Sequence, residues 1–216
     1  MVIDDNLRKV IFIHIPKTGG VSVERSIHKA LGGPDKIPYG KLINKPLRED
    51  RMAAPLFLHS TLKDYRRYYL NEIDQFYIFS IVRNPWRRLV SHYEYLIKPG
   101  FNRRMAEKDN MDFPKFIQIY QTRLLGYTLH GYKDFLEDSH GTKINRIIKL
   151  ENINEDLPSV GEDIGLEITE VLHMNPTDSK LKEHQNWKDY YNPGLKDRVY
   201  KIYKDDIQKY GYEFDE

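Results

Sequence analysis

The chain of 216 residues contains no cysteine. That absence excludes a disulfide framework, a thiolate nucleophile and any metal site built on sulfur. It has no apolar run near the ~20 residues of a transmembrane helix, and its opening stretch, MVIDDNLRKV, lacks the apolar segment of a signal peptide. A cytoplasmic protein is therefore expected. An excess of one charge sign is missing too: 34 Lys and Arg stand against 32 Asp and Glu, for a net charge of +2. So even a balance gives no reason to expect nucleic-acid binding. No internal repeat or low-complexity segment breaks the chain.

Hydrophobic residues make up 40% and charged residues 31% of the chain, which suits a soluble globular protein. Sixteen tyrosines point to a core and clefts finished by amphipathic rings. The length supports one sizeable core, so a single domain spanning residues 1–216 is expected.

Val10 to His14 is a short β-branched run of the kind that forms a strand buried on both faces. Val23, Ile27, Ala30 and Leu31 then recur at helical spacing until Gly32, Gly33 and Pro34 stop the pattern. PLFLHS reads as a short strand ending at His59, with Ser60 or Thr61 capping a helix through LKDYRRYYL. FYIFSIV, Phe76 to Val82, is the clearest strand. In RNPWRRLVSHYEYLI, Asn84 reads as a cap, Pro85 fits the first turn, and Trp86, Leu89, Val90, Tyr93 and Ile97 form an apolar face.

Lys98 to Met111 reads as a surface excursion, followed by a short helix from Asp112. INRIIKL is a further strand, and Pro193 opens a final helix that Gly211 stops. Strands alternating with helices predict an α/β fold with a central parallel sheet flanked by helices. Ligands of such sheets settle beyond the carboxyl ends of the strands.

Two strand-to-helix junctions stand out there. In HIPKTGGVSVE, Gly19 and Gly20 open the backbone at a helix start, where N–H groups and the helix dipole favour an anion. Lys17 adds a full charge, and Thr18 and Ser22 add hydroxyl donors. A tight turn with a solvated lysine is the plainer alternative. The triphosphatase loop G-x-x-x-x-G-K-[ST] does not fit, because Lys17 precedes the glycines, and the dinucleotide fingerprint G-x-G-x-x-G is absent. At the second junction Arg83 ends a strand, and Ser91 follows about two helical turns on, within reach of a second anion. Two anion sites at one sheet edge suit a ligand with two separated phosphates.

HIPKTGGVSVE resembles the 5′-phosphosulfate loop, and IVRNPWRRLVSHYEYL the 3′-phosphate strand and helix, of sulfotransferases. The likeness is closest to the carbohydrate-type branch called sulfotransferase family 2. With the closing YKIYKDDIQKYGYEF it spans most of the chain from Lys9 onward. The resemblance implies a P-loop-like nucleotide-binding fold and transfer of a sulfuryl group from 3′-phosphoadenosine 5′-phosphosulfate (PAPS) to a hydroxyl, with PAP as product and no metal. The acceptor it implies is a carbohydrate or other small molecule. It assigns the donor to Lys17, Thr18, Gly19, Gly20, Val21, Ser22, Arg83 and Ser91, with the two junctions converging on one nucleotide. Val21 stands where the family commonly has Thr, which removes one hydroxyl near the 5′ end.

Lys17 is expected to stabilise the leaving oxygen. His59 is the expected general base, since an imidazole titrating near about 6.5 suits proton abstraction at neutral pH. It also falls where the family carries a histidine base, although a capping histidine is the alternative. His14 reads as a packed or supporting residue, Glu24 as solvent-facing or paired with a cation, Glu151 as structural and Trp86 as core. Arg87 and Arg88 could extend the 3′ pocket. MNPTDSKLKEHQNWKDYY resembles a segment that closes over the nucleotide, with Lys180, Trp187 and Tyr190 as possible contacts. Arg66-Arg67 and Arg103-Arg104 could receive an acidic glycan, or be solvated faces. A kinase of related fold and a non-catalytic binder of adenosine bisphosphates are the alternatives.

Overall fold

The β-branched run after Arg8 forms a strand as expected, and three more strands assemble beside it: β1 (Val2–Asp4), β2 (Lys9–Ile13), β3 (Tyr77–Val82) and β4 (Arg146–Lys149). The computed structural model describes residues 1–33, 58–97, 111–121, 131–172 and 186–215. Its helices, in chain order, are α1 (Gly20–Ala30), α2 (Leu62–Tyr69), α3 (Pro85–Ile97), α4 (Phe113–Gln121), α5 (Tyr132–Leu136), α6 (Ile153–Asp163), α7 (Pro193–Ile202) and α8 (Lys204–Tyr210). They divide between two units, residues 1–82 with 132–174 and residues 83–131 with 175–216.

Among the described residues the sheet lies in the first unit, in the order β1-β2-β3-β4. β2, β3 and β4 run parallel, with Ile11 opposite Ile78 and Ser80 opposite Ile147, while β1 pairs antiparallel to β2. The fold is thus α/β with a mostly parallel sheet flanked by helices. Beyond their first residues both faces of β2 and β3 are buried, which is why their sequences read as continuous apolar runs, whereas in β4 only Ile148 is buried. On one face Val10, Phe12, Phe79, Ile81 and Ile148 share a core with Val23 and Ile27 of α1 and Ile153, Leu157 and Val160 of α6. Tyr77 donates to Asp163 Oδ2 at 2.6 Å, and Arg146 Nη1 reaches the same oxygen at 3.1 Å, tying β3 and β4 to the end of α6.

Several expectations needed correction. No strand ends at His59: Leu58 and His59 lie in a turn, and residues 55–57 fall outside the described ones. Of the two caps expected for the helix that follows, Thr61 is the one used, through a capping box in which Thr61 N donates to Asp64 Oδ2 at 2.7 Å. Helix α6 went unforeseen because Pro158 and Gly161 sit inside it. Gly161 is there for closeness, since a Cβ would stand 2.5 Å from Leu166 O.

In the second unit Asn84 caps α3 as expected, its Oδ1 accepting from Trp86 N at 3.1 Å and Arg87 N at 3.3 Å. The core of this unit is aromatic. Tyr93 and Phe113 meet Tyr190 edge to face, and Trp187 and Tyr191 meet Phe214 likewise. The single final helix expected from Pro193 is two helices broken at Tyr203, where neither Gly nor Pro announces the break. Gly211 does end α8, at φ 60. Among the described residues, no helix is long and apolar enough to cross a membrane.

Candidate functional site

Because β2, β3 and β4 are parallel, the chain leaves all three at one end of the sheet. From β2 it passes His14 and Ile15 and turns through Pro16–Gly19 into α1. Lys17 (φ 67) and Gly19 (φ 86) are left-handed, and Thr18 between them is not. Such alternation aims successive N–H groups into one concavity, the geometry of an anion nest. Glycine adopts φ 86 without cost, but Lys17 carries its Cβ into a conformation disfavoured by about 1–2 kcal/mol. The most chemically suggestive residue of the turn is also its strained one.

The start of α1 differs from those of α2 and α7. Thr61 and Asn192 cap those helices with side-chain oxygens, whereas α1 begins on Gly19 with no side-chain cap and no acid in its first turn. His28 and Lys29 occupy its last turn and complement the dipole. The positive end of α1 is thus not neutralised by its own sequence.

The two glycines serve purposes that the sequence did not reveal. A Cβ on Gly19 would stand 2.5 Å from Leu150 Cδ1, and one on Gly20 only 2.2 Å from His14 Cδ2. Gly20 is therefore the surface against which the His14 ring packs. Thr18 is fully buried and its hydroxyl donates to Ile15 O at 2.9 Å, so that proton closes the turn instead of facing outward. Ser22 is buried in the first turn of α1, and Val21 beside it is half-buried.

His59 reaches the turn by its side chain. Its Nδ1 lies 2.9 Å from His14 O. A carbonyl can only accept, so Nδ1 carries the proton and Nε2 is the basic nitrogen of the neutral ring. The His14 ring meets the His59 ring edge to face, with centroids 4.8 Å apart. His14 Nδ1 in turn lies 3.1 Å from Glu24 Oε1. Glu24, expected to face solvent or to pair with a cation, is completely buried on the face of α1 that carries Val23 and Ile27, with the Met1 amine 3.9 Å from its Oε1.

Arg83 follows Val82 at the end of β3 and is half-buried, and Ser91 is buried on α3. Arg88 is buried on the same helix, while the Arg87 guanidinium lies 5.9 Å from the centre of the Trp187 ring. Trp86 is core, its indole donating to Lys196 O at 3.1 Å. Tyr190 donates to Glu94 Oε1 at 3.2 Å within the aromatic cluster. Arg66 is engaged inside the first unit, by Asp138, Asp74 and Thr142, so it is no open receptor for a glycan. Lys180, Arg103 and Arg104 lie outside the described residues.

A family model described as the sulfotransferase family matches residues 1–213. No curated protein and no solved structure shows a significant match to the chain.

Proposed function

Since the chain belongs to the sulfotransferase family, we propose that it transfers the sulfuryl group of PAPS to a hydroxyl acceptor, a carbohydrate being the class we favour. The observation that carries this reading is the pairing of an uncapped, left-handed Lys17–Gly19 turn with an imidazole whose proton is fixed on Nδ1 by the same segment of chain.

The turn and the start of α1 receive the 5′-phosphosulfate, with backbone donors from Lys17 to Val21 around its oxygens and Ser22 beside them. Arg83 and Ser91 take the 3′-phosphate, as the likeness of IVRNPWRRLVSHYEYL to the family's motif suggests. The acceptor hydroxyl gives its proton to His59 Nε2 while its oxygen forms a bond to sulfur. The bond from sulfur to the bridging phosphate oxygen breaks, and PAP departs with the electron pair. Lys17 stabilises the charge growing on that oxygen, an interaction stronger in the transition state than in the ground state. Each atom lost by one partner is gained by another.

The test combines PAP binding by calorimetry with transfer of labelled sulfuryl from PAPS to a panel of desulfated polysaccharides. Lys17→Ala should abolish transfer while binding falls only modestly. Arg83→Ala should chiefly weaken PAP binding, and His59→Ala should slow transfer about a hundredfold with binding intact. Binding of PAP by the parent with no transfer to any hydroxyl acceptor would leave a nucleotide-binding protein instead of an enzyme.

A further inference from the structure

Glu24 is a carboxylate with no role in the reading above, yet it is wholly buried in the wall of the site. One oxygen accepts from His14 Nδ1 at 3.1 Å, and Oε2 makes no hydrogen bond among the described residues. The Met1 amine stands 3.9 Å from Oε1. A buried carboxylate with an unsatisfied oxygen is costly, and apolar side chains of similar volume usually leave a fold as stable or more so. Its presence asks for a reason other than stability.

The His14 ring supplies that reason. It is wedged between three groups: Glu24 at Nδ1, the Gly20 backbone along its Cδ2–Nε2 edge, and the His59 ring, which it meets edge to face. The carbonyl of the same residue holds His59 Nδ1. One imidazole therefore touches both the helix start that opens the anion turn and the base that serves it.

We propose that Glu24 is a positioning residue: by accepting from His14 Nδ1 it locks the imidazole wedged between Gly20 and His59, and so keeps the base aligned with the anion turn. The proposal rests on the reading of His59 as general base. Glu24 touches neither donor nor acceptor, and acts only through His14. Its contribution is made as a hydrogen-bond acceptor, so a neutral acceptor in its place preserves most of the effect.

Transfer of labelled sulfuryl from PAPS to a desulfated polysaccharide, measured beside PAP binding, tests this. Glu24→Leu should lower the transfer rate about tenfold or more with PAP affinity within about twofold, and Glu24→Gln should stay within about threefold of the parent. In a His59→Ala background Glu24→Leu should cost nothing further, because a residue acting through the base has no effect once the base is gone. An equal loss in both backgrounds would overturn the positioning role and leave the base reading standing. A fully active His59→Ala would instead remove the base itself. Should Glu24→Leu fail to fold, His14→Phe removes the locked imidazole while leaving Glu24 beside the Met1 amine, and is expected to transfer as slowly as Glu24→Leu was predicted to, a parent-like rate overturning the proposal. The parent protein offers an independent readout by nitrogen NMR of its histidines. Neutral His59 should carry its proton on Nδ1, and His14 should show a downfield Nδ1 proton bonded to carboxylate. The opposite tautomer at His59, or no such proton at His14, would overturn the proposal.

Discussion

Lys17 shows how a single residue can be chosen against its own backbone preference. At φ 67 any side chain with a Cβ is strained, and glycine is the residue that fits. Strain of this kind persists where surrounding structure holds it and function rewards it. Lys17→Gly should therefore be more stable than Lys17→Ala by about 1 kcal/mol, although both should be inactive. Urea midpoints for the two variants decide the matter, and equal midpoints would mean that the turn relaxes when the lysine is removed. From the sequence, the pattern Lys-Thr-Gly-Gly announced a tight turn into a helix start. It did not announce that Gly20 exists for the His14 ring or that the Thr18 hydroxyl faces inward, because those facts depend on neighbours brought by the fold.

At the scale of elements, local chemistry predicted most helix starts. Asn84 and Asn192 cap α3 and α7 with short side chains whose oxygens meet backbone N–H groups, and such signals are written in consecutive residues. The end of α2 is different. Leu70 sits at φ 49 and ψ −126, close to the first central position of a type II′ turn, and its side chain is 63% exposed. Leucine gains little there from burial and pays for its Cβ. Leu70→Gly should stabilise the protein by about 1 kcal/mol, read as a higher urea midpoint at unchanged slope. A lower midpoint would show that the exposed leucine contributes packing after all. The strand end expected at His59 fails for a related reason: Leu58 and His59 lie in a turn, and the Thr61–Asp64 capping box directly after them opens α2.

At the scale of the whole chain, distant segments are joined by charge. Asp138 accepts from Thr142 through its backbone N–H and its hydroxyl, from His140 N at 3.0 Å and from Arg66 Nε at 3.5 Å. Burial pushes its carboxyl up, but the hydrogen bonds from Thr142, His140 and Arg66 outweigh it and hold the group down to about 2 from an ordinary 3.8. A carboxylate depressed in the folded state stabilises the fold above its unfolded pKa, and loses that contribution as pH falls through the folded one. The window of loss therefore runs from about pH 4 down to about pH 2. Asp138→Asn should lower the melting temperature by a few degrees at pH 7 and flatten its decline across that window. Parallel melting curves for the two proteins at pH 7 and pH 3 would rule the network out as a source of acid sensitivity.

By itself the sequence determined the strand-to-helix junctions, the parallel sheet they imply and the family to which those junctions belong. Each depends on residues adjacent in the chain, through periodicity, caps and turn chemistry that act over a few bonds. Only tertiary structure decided that Glu24 is buried, that His14 is wedged against Gly20 and His59, and that His59 carries its proton on Nδ1. Those facts arise where β2, α1 and the turn before α2 meet. Burial and hydrogen-bond partners are properties of that meeting, and no single segment contains them.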